Sequence, residues 1–208
     1  RLSVLDRVLR HNLRNKLNVV LGHVETLKSD GAAEEAVENI ERAAQELLGL
    51  SETAREFHRT FSRDANPHRS DVMASLAEVV DTVRKRHPKA VITVEGPHSV
   101  RAFVAEATFL AIEELIDNGI VHKEGDDPTV EVSVSRGDDY VDVTIRDYGP
   151  PVPDHELEVI DRNVEQPLSH SSGIALWLSV WAIRRTGGEV EYERLDDGNR
   201  MTVSFPAA

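Results

Sequence analysis

The sequence predicts an α+β chain in two parts. A long helical hairpin would pair with a second copy into a four-helix bundle, and a following module would lay helices on one side of a mixed sheet. Three observations carry this. Apolar residues recur at helical spacing as far as Phe61, Asn66-Pro67 breaks that pattern, and period-two alternation appears only beyond the break. The expected boundaries are 1–65 for the hairpin and 66–208 for the second module.

Taking the elements in order, residues 2–27 contain no proline, and Leu13, Leu17, Val20, Val24 and Leu27 follow the 4-3-4-3 spacing of a seam. Ser29-Asp30-Gly31 supplies the break. Ala36, Ile40, Ala43, Leu47, Leu50, Ala54, Phe57 and Phe61 then sustain a second seam. Each helix would run about 40 Å at about 1.5 Å per residue. One pair of helices this long cannot hide both stripes, so the spacing predicts an obligate homodimer. In the second part, 71–86 reads as an amphipathic helix, 90–94 and 100–104 as short strands, and 106–121 as a buried helix. Strands at 130–134 and 141–145 flank a Gly137-Asp138-Asp139 turn. A helix over 173–186 and strands at 189–194 and 200–205, joined at Asp197-Gly198-Asn199, complete an α+β arrangement.

Composition bounds the function. The chain has 208 residues with 37 acidic and 24 basic side chains, hence a formal charge of −13, and such a surface repels phosphate backbones and argues against nucleic acid as a partner. No cysteine is present, which excludes disulfides, thiolate metal sites and cysteine nucleophiles. Five lysines stand against 19 arginines, and carboxylates in excess with few lysines predict adaptation to high salt. No apolar run approaches the length that spans a bilayer, so the expectation is a soluble, cytoplasmic piece. A long helix starting at Arg1 leads us to expect an upstream sensor domain in a longer chain, with or without a membrane anchor.

Four features carry chemistry. His11 lies on the polar stripe of the first helix with Asn15, Asn18 and Gly22 one to three turns on. An imidazole nitrogen there can attack a phosphoryl group, and Asn15 can orient a water; a merely hydrated helix face is the plain alternative. Glu114 and Asn118 sit four apart, on one face of the buried helix, where an amide oxygen suits magnesium. Asp147-Tyr148-Gly149 ends a strand, so that Asp147 can accept from an exocyclic amine and Gly149 lets a ring approach; a strand-ending turn would look the same. Ser171-Ser172-Gly173 opens a helix whose free N–H groups suit a phosphate chain, or which is simply capped.

The order of these features resembles the catalytic core of a sensor histidine kinase over essentially the whole chain, with a flavour of halophilic archaea. Residues 10–15 resemble the H box, 114–122 the N box, 147–151 the G1 box and 173–178 the G2 box of a GHKL-type (Bergerat) α/β-sandwich ATP-binding domain. The resemblance implies His11 as phosphoacceptor, Asn15 placing the water for phosphatase action, and Glu114 as a catalytic carboxylate. It further implies Asn118 holding Mg2+, and His122, Asp147, Gly149, Gly173, Ala175 and Leu176 around ATP, with 154–172 as the lid. It implies a response-regulator receiver domain as partner. The chain departs from the pattern at Asn12 where an acidic residue is usual, at Glu114 and Val121 in place of asparagine and lysine, and at Pro151 and Ala175 in place of glycines. The expected activity is autophosphorylation of His11 from ATP and transfer to an aspartate. The rival expectations are a phosphotransfer or scaffold protein with a vestigial nucleotide domain, and an ATPase using Glu114 as base.

Overall fold

The computed structural model describes residues 66–121, 123, 127–161 and 174–208, together with 17, 18, 20–24, 27, 37–45, 47–49, 51 and 55. All the described residues before 66 are helical, the conformation the two seams predict at those positions. The expected break at 29–31 lies outside the described residues.

The second module begins with a strand that the sequence did not announce. β1 (His68–Asp71) pairs antiparallel with β3 (Arg101–Val104), His68 opposite Val104 and Asp71 opposite Arg101. Asp71 also caps α1 (Val72–Arg86), accepting from the Met73 and Ala74 N–H groups at 3.1 and 3.5 Å, so the helix starts at 72 rather than 71. Its last turn carries Arg84, Lys85 and Arg86, which suit the negative end of the helix dipole.

The main sheet has the order β2-β4-β5-β7-β6, built from β2 (Val91–Glu95), β4 (Thr129–Arg136), β5 (Tyr140–Asp147), β7 (Gly198–Pro206) and β6 (Glu189–Leu195). Only the β2–β4 pair is parallel, and β3 with α2 (Glu106–Val121) forms its crossover. The turn closing β4–β5 is where the sequence placed it, with the Gly137 N–H donating to the Tyr140 carbonyl. The β6–β7 turn is shifted: Asp196 and Asp197 form it, and Gly198 and Asn199 already belong to β7.

Alternation sorts the sheet into two faces. Val130, Val132, Val134, Val141, Val143, Ile145, Val203 and Phe205 are buried against the helices. Ile112 and Ile116 of α2, with Trp177, Leu178 and Ile183 of α4 (Ile174–Arg185), supply the opposing layer. The polar face carries Glu131, Arg146, Asp197, Glu193 and Arg200 in cross-strand ion pairs. A further helix, α3 (Asp154–Asp161), packs on α4 and occupies the start of the segment expected as a lid; 162–172 lie outside the described residues.

Candidate functional site

Asp147 is the last residue of β5. Strand alternation from Val141, Val143 and Ile145 turns its side chain to the helix-facing side, where it is half-buried. Two approaches close around it. A Cβ added at Gly119 of α2 would lie 2.9 Å from the Asp147 Cβ, so the helix rests directly against the carboxylate-bearing residue. A Cβ at Gly198 would lie 1.9 Å from the Asp147 carbonyl oxygen, which only glycine permits.

One oxygen of Asp147 is engaged and the other is presented. Oδ1 accepts from the Gly149 N–H and from Asn199 Nδ2, both at 2.8 Å. Oδ2 has no hydrogen-bond partner among the described residues, and an ionised carboxylate oxygen only accepts. The arrangement therefore suits a ligand N–H2 approaching from the open side.

The helix beside it divides its polar residues between two faces. Arg86 donates to Asp117 Oδ1 at 2.8 Å and to Glu113 Oε1 at 2.7 Å, and His87 Nε2 lies 2.8 Å from Asp117 Oδ1. Burial pulls the Arg86 guanidinium down, but these two carboxylates outweigh it and leave its pKa raised. That face of α2 is thereby tied to α1. Glu114 and Asn118, one position further round, are half-buried. The Asn118 side chain makes no hydrogen bond among the described residues, so its amide oxygen is available to a ligand. No cluster of three acidic or histidine side chains able to hold a metal occurs among the described residues.

On the polar side, Tyr148 donates to Glu131 Oε1 at 2.7 Å, and this bond, ahead of desolvation, raises its pKa. The Arg146 guanidinium stacks 4.7 Å over the Tyr148 ring, and its own pKa is raised first by its bond to Asp197. A groove of about 530 Å3 opens here, lined by Lys123, Tyr148, Gly149, Pro151, Asp197 and Gly198.

The structure thus gathers Asp147, Gly149 and the Gly119 end of α2. Ala175 and Leu176 lie in the first turn of α4, Ala175 half-buried and Leu176 buried, and the Ala175 carbonyl accepts from Ser179 Oγ at 2.9 Å. His11, Asn15, His122 and Gly173 lie outside the described residues. Two contributors escaped the sequence reading. Gly119 falls inside the stretch that reads as a buried helix, and Asn199 reads as part of the turn at 197–199; the Gly198-Asn199 pair at the edge of an alternating run is the one sequence signal of a close approach.

Comparison with known proteins bears on the fold and the family. Residues 104–208 match the family model of the histidine kinase-, DNA gyrase B-, and HSP90-like ATPases. The signal transduction histidine-protein kinase AfsQ2 of Streptomyces coelicolor is 34% identical over 101 residues, 46% of this chain. The match spans only 18% of that relative's length. Among solved structures, the Acinetobacter baumannii histidine kinase AdeS superposes with a TM-score of 0.60 at 15% identity, covering 95% of this chain and 98% of that one. Histidine kinase ThkA, solved in complex with the response regulator TrrA, gives 0.67 at 17% identity over 100% of this chain and 62% of that one. At such identities the likeness is one of fold.

Proposed function

The chain belongs to the histidine kinase-, DNA gyrase B-, and HSP90-like ATPase family, and on that premise we propose that it is a protein-histidine kinase working through a paired helical hairpin. The observation that carries the nucleotide half is Asp147, with Oδ1 held by two donors and Oδ2 open against α2. The donor chemistry fits ATP with magnesium: a free carboxylate oxygen for the adenine amine, and one open amide oxygen, Asn118, for an ion that keeps its waters and the phosphate oxygens. In this reading 66–208 is the ATP-binding domain and 1–65 the dimerisation and phosphotransfer hairpin.

The reaction asks the protein chiefly for positioning and charge neutralisation. A neutral His11 ring nitrogen attacks the γ-phosphorus, a P–N bond forms, and the P–O bond to ADP breaks. Asn12 cannot accept the ring proton released, so it passes to water. Phospho-His11 then donates to an aspartate of a response-regulator receiver domain, and Asn15 places the water that later hydrolyses the aspartyl phosphate. An upstream sensor domain would set the rate. Among the described residues no helix is long and apolar enough to cross a membrane.

The test is incubation with γ-labelled ATP and magnesium, following label that survives alkali and is lost in acid. We expect label in the parent chain and none in His11→Gln. Turnover of ATP that persists in His11→Gln, with no protein-bound label in the parent, would instead assign Glu114 to an ATPase. A folded parent that binds no ATP analogue would leave a phosphotransfer or scaffold protein.

A further inference from the structure

Asn199 uses its whole hydrogen-bonding capacity inside the fold. It is 3% exposed and sits on β7, opposite Asp147 of β5 and Arg194 of β6. Its Nδ2 donates to Asp147 Oδ1 at 2.8 Å and to the Pro150 carbonyl at 3.0 Å. Its Oδ1 accepts from the Tyr192 hydroxyl at 2.8 Å and from the Val152 N–H at 3.3 Å. An amide has two donors and two acceptor lone pairs, so all four are taken. The orientation is forced as well. A flipped amide would set its oxygen against a carboxylate and a carbonyl, neither of which can donate, and its N–H2 against the Val152 N–H.

The chain it holds cannot hold itself. Gly149-Pro150-Pro151-Val152-Pro153 has three prolines, leaving only the Gly149 and Val152 N–H groups as backbone donors. The first goes to Asp147 and the second to Asn199. Arg194 adds a bond from β6 to the Val152 carbonyl at 3.1 Å and to Asp154 at 2.8 Å, at the start of α3. One buried side chain therefore fixes both the carboxylate and the turn that follows it.

We propose that Asn199, its amide oriented by Tyr192, is a positioning residue of the nucleotide site. It sets the Asp147 carboxylate so that Oδ2 meets an amino-purine, and it pins the proline turn from which α3 departs. This rests on the nucleotide reading above. Without Asn199, Oδ1 keeps only the Gly149 N–H and the carboxylate can turn away. Recognition of an amine should then weaken more than binding of the rest of the nucleotide, because only the amine is read by Oδ2.

The test is calorimetry on the full chain with magnesium, comparing adenylyl imidodiphosphate with its inosine counterpart, in which a 6-oxo group replaces the amine. Melting curves accompany Asn199→Leu and Tyr192→Phe. We expect the parent to prefer the adenine analogue. Asn199→Leu should lose about tenfold or more of that preference, the scale of one hydrogen bond to a charged group. Tyr192→Phe, which keeps the ring, should lose part of it in the same direction while melting close to the parent. Folded variants with an unchanged adenine-to-inosine ratio would overturn the assignment of Asn199 and leave the nucleotide site standing. A folded parent that binds neither analogue would overturn the nucleotide reading itself, and the assignment with it.

Discussion

Asp71 joins three pieces of local structure through one carboxylate. It ends β1, caps α1 through Oδ1, and accepts from Ser99 Oγ at 2.6 Å through Oδ2. The Ser99 bond is the largest cause of its lowered pKa, with backbone N–H groups adding to it against desolvation. Replacing Asp71 by alanine should cost about 1 kcal/mol, the usual worth of an N-cap. The pH dependence follows in sign. Because the folded-state pKa is depressed, the charge contribution is fully present above the unfolded value near 3.9 and is lost as pH falls through the lower folded value. Urea titrations at pH 7 should therefore separate Asp71→Ala from the parent, and the gap should narrow at the acid end. A gap that stays constant down to the acid transition would mean that the carboxylate contributes by shape alone. At this scale the sequence was a partial guide. Asp147-x-Gly149 and the Glu114/Asn118 pair could be picked out because each is a spacing of two or four residues on one stretch of chain. Asn199 could not, because its partners at 147, 150, 152 and 192 come together only once β5, β7 and β6 are in register.

The elements were readable where one apolar face faced a core. β4 and β5 announce themselves by alternation, and α2 by its buried stretch, because burial enforces the period. β1 has the sequence His-Arg-Ser-Asp, half of it exposed, and exists because β3 offers it an edge. α3 was hidden by the proline run before it and by acidic residues that only later prove suited to a helix start. Packing between α2 and α4 contains one polar contact worth testing. Thr186 Oγ1 lies 3.0 and 2.9 Å from the carbonyls of Ala182 and Ile183, and 2.8 Å from Thr108 Oγ1, with both threonines buried. Thr186 has a single proton, which its own helix takes, so Thr108 is the donor between the helices. Thr186→Val should strand that buried hydroxyl and cost about 1–3 kcal/mol, whereas Thr108→Val with Thr186→Val should cost less than the two singly. Additive losses in a double-mutant cycle would show that the contact carries no coupling.

Charge acts on the molecule as a whole. The net charge is −13, the outer face of the sheet pairs several of its own charges, Glu193 with Arg200 among them, and the edge strand β6 still projects Glu189 and Glu191. Acidic residues on an edge strand discourage pairing with another sheet, and this benefit is paid in self-repulsion of the compact state. The repulsion reaches far at low ionic strength, with a screening length of about 30 Å at 0.01 M salt, about 8 Å at 0.15 M and about 3 Å at 1 M. Two explanations of the composition therefore separate on a salt axis. If the carboxylates are an ordinary acidic surface, the melting temperature should rise with potassium chloride and level off by a few tenths molar, once the screening length is shorter than the spacing between unpaired charges. If they are adapted to concentrated salt, stability should keep rising into the molar range, where screening is already complete. We expect the second pattern, since 37 carboxylates face only 24 lysine and arginine side chains, five of them lysines. A melting curve that levels off early would assign the composition to solubility alone.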